Sequence, residues 1–340
     1  MVRTRGNKKS LLKTAGTIGE RKIIEMIQGH LDLMPNLAVS FGDDVSALSI
    51  GRGCLAVLKA DMLVSKTDVP PGMTFWQAAR KAVVMNISDF AAKGVKPMAM
   101  LVSLGLPKGM AAKDVVELAE GLNAGAREYG AYVIGGDTGE ASDLVISVSL
   151  FGTARRNRLM LRSGAKPGDF LAVTGPFGNT AAGLRVLLSK LDVPEKVRDV
   201  LAKSVLLPHA RLKEGLALSH SKAVSAAIDS SDGLAWSLHE IARASNVGLM
   251  IDRLPAASEA KIFAERTKID LAELVFYGGE EYEILLTIKP DAWAAAEKAV
   301  ARIGGQLLQI GKVTRGKRVV RESGGTKHTI EPRGYEHFKT

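Results

Sequence analysis

Cysteine is nearly missing from this chain: Cys54 is the single one in 340 residues. An intrachain disulfide is therefore impossible, and a thiolate-based metal centre is not expected. That usage fits a reducing cytoplasm, where the protein is expected to reside. No apolar run is long enough to span a bilayer, which takes roughly 18 residues or more. The opening MVRTRGNKKS leads into no apolar segment, so a secretory signal is not expected either. Aromatic residues are scarce, at 5%, which is poor material for stacking on bases. With no zinc-finger spacing and no RNP-like aromatic motif, nucleic acid is not the expected partner, despite a net charge of +10. Three further motifs are missing: GxxxxGKS/T, GxGxxG and HExxH. The common nucleotide loops and a zinc hydrolase centre are thereby disfavoured.

What is present is enough to build a sizeable core. Hydrophobic residues make up 46% of the chain, glycines number 35, and the length suggests about two domains. Basic residues concentrate in the first 22 positions and in RRNR at 155–158. Residues 1–18 read as a basic flexible arm. Apolar strand-like runs then alternate with helical patterns. CLAVLKADMLV (54–64) reads as a strand broken near Lys59-Ala60-Asp61. TFWQAARKAVVMNISDFAAKG (74–94) reads as a long helix closed by glycine, and AYVIGGDTGE as a short strand entering a Gly-Gly-Asp turn. AVSAAID and LAWSLHEIARAS form a strand and a helix in the second half. The pattern predicts an α/β (α+β) chain. The basic, turn-rich segment near 155 divides it into 19–154 and 155–340.

The stretch VSAAIDSSDGLAW (224–236) stops an apolar run on Asp229, with Asp232 three residues later. One reading is a helix cap, since Ser230, Ser231 or Asp232 could accept from an orphan N–H of the helix beginning near Leu234. The other is a metal–phosphate site. The pattern recurs: LAVLKA runs into Asp61 and AYVIGG into Asp137. Asp44 follows a glycine turn, and Asp89 sits mid-helix among apolar residues, an awkward place for a carboxylate unless paired or liganded. Six such aspartates could be unrelated turn and cap residues. Gathered in one pocket, with no cysteine and no suitable histidine, they suit a hard cation such as Mg²⁺. Several ions would be needed to keep their repulsion from raising the pKa values, and several Mg²⁺ ions imply a polyphosphate ligand. TGPFGNTAAG (174–183) could present a helix N-terminus to an anion or serve only as a tight strand–helix turn. Arg162 and Lys166 in LRSGAKPGD could meet phosphate oxygens or lie solvated on the surface.

Seven segments occur in a familiar order: FGDDVSAL, NISDFAAKG, VIGGDTG, RSGAKPGD, AAIDSSDGL, YGGEEYE and RGYEHF. Together, from about Gly19 to Phe338, they resemble the thiamine-monophosphate kinase family, in the superfamily of AIR synthetase and selenide water dikinase. The resemblance implies a two-domain AIR-synthetase-like fold whose N-terminal domain forms a β-barrel shared by a homodimer. The implied reaction is transfer of the ATP γ-phosphate to thiamine monophosphate, assisted by several Mg²⁺ ions. By motif position, Asp44, Asp61, Asp89, Asp137, Asp229 and Asp232 would bind metal. Gly136, Asp137, Arg162 and Ser231 would contact ATP, and Asp68, Glu280 and Tyr335 the thiamine phosphate. The nucleophile, a phosphate oxygen, is already ionised, so no general base is implied.

Two positions depart from the family pattern. Lys59-Ala60-Asp61 stands where Ser/Thr-Thr-Asp is common, exchanging two oxygen side chains for one ammonium that replaces an ion's charge or points away. Thr67-Asp68 stands where bacterial members carry Asn-His. Two other readings stand beside the kinase: a superfamily relative acting on another substrate, and a catalytically silent nucleotide-binding protein.

Overall fold

The computed structural model describes residues 14–189 and 191–338. Of the segment expected as a flexible arm, residues 1–13 lie outside the described residues. The described residues divide into two compact units, one of residues 14–35 with 335–338 and the other of Asn36–Gly334. In the smaller unit α1 (Ala15–Ile18) and α2 (Glu20–Gln28) meet the C-terminal segment. Arg21 Nη1 pairs with Glu336 Oε2 at 3.1 Å, and the His337 N–H donates to Glu20 Oε2 at 3.0 Å.

The larger unit carries two sheets. The first contains β1 (Ser46–Ser49), β2 (Cys54–Val64), β3 (Lys96–Leu106), β4 (Tyr132–Glu140) and β5 (Val145–Arg155), in the order β1-β2-β5-β3-β4. All neighbours are antiparallel except β3 and β4, which run parallel and are joined by α5 (Ala112–Glu128). The sheet is open within one chain, with β1 and β4 as its edges. After β2 come the single turn α3 (Ser65–Asp68) and the long α4 (Phe75–Lys93). Thr74 starts α4 with a reciprocal capping box, accepting from Gln77 N at 3.2 Å while its own N–H donates to Gln77 Oε1 at 2.9 Å. Gly94, in the left-handed region at φ 65°, ends it. Between these ends the helix is buried on nearly every face, the mark of a central helix, and its polar residues Arg80, Lys81, Asn86, Ser88, Asp89 and Lys93 are buried with it.

The second sheet runs β12 (Thr326–Thr329), β11 (Val319–Ser323), β8 (Gly248–Ile251), β10 (Leu308–Thr314), β6 (Phe170–Val173), β9 (Ile284–Ile288), β7 (Val224–Asp229). Only β8 and β11 are parallel. Its helices are α6 (Asn179–Leu188), α7 (Glu195–Leu206), α8 (Leu212–Ser221), α9 (Leu234–Ser245), α10 (Ser258–Thr267), α11 (Leu271–Tyr277) and α12 (Trp293–Ala301). One hydrophobic core joins both sheets through α4: Leu55, Ile87 and Phe90 belong to the same cluster as Ala227, Ile284 and Leu286. A second core lies under α9 and α11.

The strand endings differ from the sequence expectation. β2 passes through Lys59, Ala60 and Asp61 without a break, because those residues pair with Leu150, Ser149 and Val148 of β5. β4 likewise continues through Gly135, Gly136 and Asp137, which pair with Leu101, Val102 and Ser103. Only Asp229 ends its strand. Ladder hydrogen bonds to a neighbouring strand override the local turn preference of glycine and aspartate.

Candidate active site

Three of the six aspartates meet. Asp44 comes from the turn before β1, Asp89 from α4 and Asp229 from the tip of β7. One oxygen of each lies within 4.8 Å of the other two, and all three residues are buried. Three anions so close cannot be left alone in a low-dielectric interior, and the chain surrounds them with cations. Lys93, at the end of α4 and fully buried, reaches Asp43 Oδ1 at 2.7 Å, Asp44 Oδ2 at 2.8 Å and the Ala227 carbonyl at 2.7 Å. Arg162 donates from Nε to Asp44 Oδ1 at 2.6 Å and pairs through Nη1 with Glu240 Oε2 at 3.1 Å. Lys59 bridges Asp61 Oδ1 at 3.1 Å and Asp89 Oδ2 at 3.0 Å. Ser88 donates to Asp229 Oδ2 at 3.0 Å, and the Asp61 N–H donates to Asn86 Oδ1 at 3.0 Å.

The electrostatics divide the three. Burial alone would raise Asp44, but Lys93 and Arg162 outweigh it and hold the carboxyl below the usual range. Burial pushes Asp89 well above that range, the charges of Asp229, Asp61 and Asp44 add to the push, and Lys59 opposes it. Burial and then the Asp44 charge lift Asp229 to about 7, against Lys59, Arg162 and the Ser88 hydroxyl. Desolvation works against the Lys59 ammonium, yet Asp61, Asp89 and Asp229 more than compensate and keep it charged.

Helical spacing explains why α4 serves this site so fully. Asp89 and Lys93, four residues apart, share one face, and Lys81 lies about two turns earlier, toward its edge. Lys81 Nζ pairs with Glu280 Oε1 at 2.6 Å and donates to the Asp68 carbonyl at 2.8 Å. Glu280 belongs to the Gly278–Glu283 loop, which is zipped to the end of β7: Glu280 N donates to the Ser231 carbonyl at 2.7 Å, and Tyr282 N to that of Ser230 at 3.2 Å. Glu280 and Tyr282 both hold positive φ, 63° and 53°, an uncommon conformation that such ordered loops keep at functional sites. Tyr282 is fully buried, and burial, with Glu280, Asp229 and Asp61 nearby, pushes its phenol well above the usual range.

Other sequence-predicted residues fall elsewhere. Asp61 is partly exposed and joined to the cluster through Lys59. Asp137 and Gly136 lie on the exposed edge strand β4, not beside the three buried carboxylates. A side chain at 136 would overlap the Val102 carbonyl, so close strand approach alone requires glycine there. Ser231 and Asp232 follow Asp229 in a bend, partly buried. The residue capping α9 is Gly233, so the N-cap position expected for a serine or aspartate is taken by a residue without a side chain. Asp68 spends Oδ2 on the Val64 N–H at 2.8 Å. Tyr335 belongs to the smaller unit, where its ring stands edge-on to His337 at 5.0 Å. The anion at the α6 N-terminus is the chain's own: Glu281 Oε1 accepts from Gly178 N at 2.6 Å and Thr180 N at 3.1 Å. Sequence reasoning missed Lys81, Lys93, Asp43 and Glu281. For the two lysines, the available signal was a cation set within the apolar runs of a long helix.

Comparison with known proteins fits this arrangement. Residues 42–154 match the model of the AIR synthase related protein, N-terminal domain, and residues 166–323 that of the C-terminal domain. The thiamine-monophosphate kinase of Pyrococcus horikoshii is 37% identical over 93% of this chain and 96% of its own. That of Nitrosopumilus maritimus is 35% identical over 87% and 93%. A solved structure described as "AaThiL complexed with AMPPCP and TMP" superposes with a TM-score of 0.84, at 27% identity, over 96% of this chain and all of that one. With its ordered motifs, its fold and its buried carboxylates accounted for together, the chain belongs to the thiamine-monophosphate kinase family.

Proposed function

We propose that this chain transfers the γ-phosphoryl group of ATP to thiamine monophosphate, giving ADP and thiamine diphosphate. The observation that carries the reading is the buried trio Asp44, Asp89 and Asp229, assembled from a turn, a helix and a strand tip. A terminal phosphate oxygen of thiamine monophosphate attacks the γ-phosphorus in line. The bond from that phosphorus to the β,γ-bridging oxygen breaks, and ADP leaves with the electron pair. The attacking oxygen is ionised at neutral pH, so the chain needs no base; its task is positioning and charge compensation.

The donor set fits Mg²⁺. It offers only carboxylate oxygens, which hard cations prefer. Burial and the neighbouring carboxylates hold Asp89 and Asp229 above the ordinary carboxylate range, a penalty on their anions that a bound cation would relieve. Ser230 Oγ, next to Asp229, is fully buried without a hydrogen-bond partner among the described residues. Asp44, Asp61, Asp89, Asp137, Asp229 and Asp232 are the proposed ligands, and bound Mg²⁺ would neutralise charge between the two phosphate groups. Arg162, Ser231, Gly136 and Asp137 are proposed to contact ATP. Glu280, fixed by Lys81, is proposed to face the thiazolium-bearing substrate with Asp68 and Tyr335.

We place the chain as a homodimer in the cytoplasm, with domains at 19–154 and 155–340. Support for the division comes from the two family models, which end and begin on either side of residue 155. Support for the dimer comes from β4, exposed along its whole length, and from Leu58, Met62, Met98 and Leu101 exposed on the same sheet. No helix among the described residues is long and apolar enough to cross a membrane. The deciding experiment is chromatography of thiamine diphosphate formed from Mg-ATP and thiamine monophosphate, against the same mixture without Mg²⁺.

A further inference from the structure

We propose that Lys59 is a built-in cation of the phosphate site, taking the place of one divalent ion and offering a donor to the phosphates. The inference rests on the phosphoryl-transfer reading above. Alternation along β2 puts Lys59 and Asp61 on one face, the face turned to α4, while Ala60 between them points the other way and contributes no oxygen. There the ammonium joins two carboxylates from different elements, Asp61 of β2 and Asp89 of α4, at 3.1 and 3.0 Å. Bridging two carboxylates is the work a metal ion does in such a site.

Charge counting supports the exchange. Glu240 is matched by Arg243, at 2.6 Å. Counted as ionised, the form a bound cation requires, five carboxylates (Asp43, Asp44, Asp61, Asp89, Asp229) then remain against three cations (Lys59, Lys93, Arg162), leaving two negative charges, the charge one divalent ion brings. Without Lys59 the excess would be three, more than one such ion can balance. The three cations are not equivalent. Lys93 is sealed, with its side chain at 0% exposure and all its contacts made within the protein. Arg162, 21% exposed, uses three of its five N–H donors on Asp44 and Glu240 and keeps two for the ATP contact proposed above. Lys59 keeps a side chain 20% exposed, and two of its three N–H donors are used on Asp61 and Asp89. The third is free to meet a phosphate oxygen as a mobile point charge.

The test counts ions. Mn²⁺ bound per chain is measured by loss of the free-ion paramagnetic resonance signal at saturating AMPPCP. The double variant Lys59→Ser/Ala60→Thr, which puts a hydroxyl in place of the ammonium at 59 and a second one on the opposite face of β2, should bind one more ion than wild type. Lys59→Met should hold AMPPCP about tenfold more weakly, the loss of one charge-assisted contact. Lys59→Arg should keep the wild-type ion count. Equal ion counts in wild type and the double variant, with AMPPCP affinity in Lys59→Met within about twofold of wild type, would overturn the proposal. If Lys59→Met fails to fold, the ion count of the double variant decides alone. A wild-type chain that binds Mn²⁺ and AMPPCP but makes no thiamine diphosphate would overturn the proposed reaction, leaving the ion count to judge Lys59 separately.

Discussion

Asp229 is the residue on which the site turns. It closes β7, its neighbour in sequence Ser230 is fully buried, and its carboxyl is lifted to about 7. Asp229→Asn keeps the shape and the Ser88 contact but removes the anion, so transfer should drop at least about 100-fold while the chain stays folded. Steady-state rates beside thermal melts check this, and wild-type turnover in the variant would remove Asp229 from the metal set. Glu281 gives a pH prediction away from that set. Withdrawn from water, it is pushed up to about 7 although three hydrogen bonds from Gly178 and Thr180 favour its anion. Its unfolded value is about 4.3, so between the two values the folded chain binds the extra proton. Stability therefore falls as pH rises through that window, and the loss is complete above it. Glu281→Gln, neutral throughout, should melt higher than wild type near pH 8 by on the order of 1 kcal/mol, with its advantage declining toward pH 4. Melting curves across that range decide it. Lys59 and the six aspartates were legible in the sequence because a charge inside an apolar run is conspicuous. Glu281 was not, because nothing in GGEEYE says which glutamate reaches a helix end more than a hundred residues earlier in the chain.

Among the elements, α4 determines the site. It supplies Lys81, Ser88, Asp89 and Lys93, and it is pressed between α5, α8 and both sheets. The approach of α8 is made at Gly215, where any side chain would overlap the Ala91 carbonyl of α4. Gly215→Ala should therefore cost about 1–3 kcal/mol as an overpacking defect. It should also lower transfer by shifting Asp89, although Gly215 is no part of the site. Denaturant melts and rates of one preparation would show both effects; a stable chain with reduced turnover, or the reverse, would break the proposed link. The helix itself was readable from its capping box, apolar run and terminal glycine, and β2, β5 and β7 from their β-branched and apolar composition. The continuity of β2 and β4 was not readable. Lys59-Ala60-Asp61 and Gly135-Gly136-Asp137 carry turn chemistry, and only pairing with distant β5 and β3 holds them extended.

At the scale of the molecule, the first sheet leaves apolar surface uncovered. Tyr132, Val133 and Ile134 on β4 are exposed at 56%, 39% and 68%, and Met62 and Leu101 at 54% and 52%. Surface of that kind on a sheet edge invites pairing with a second copy. Ile134→Asp should convert a dimer to monomers in light scattering, and a monomeric wild type would refute the expected assembly. The family assignment came from motifs spread along nearly the whole chain, whereas the placement of Asp137 on this exposed edge required the fold. The phosphoryl-transfer reading itself is tested most directly by product analysis. Purified chain, ATP and thiamine monophosphate should yield thiamine diphosphate and ADP in equal amounts when Mg²⁺ is present and neither when it is withheld. ADP without thiamine diphosphate, or ATP bound and unchanged in the presence of Mg²⁺, would contradict it.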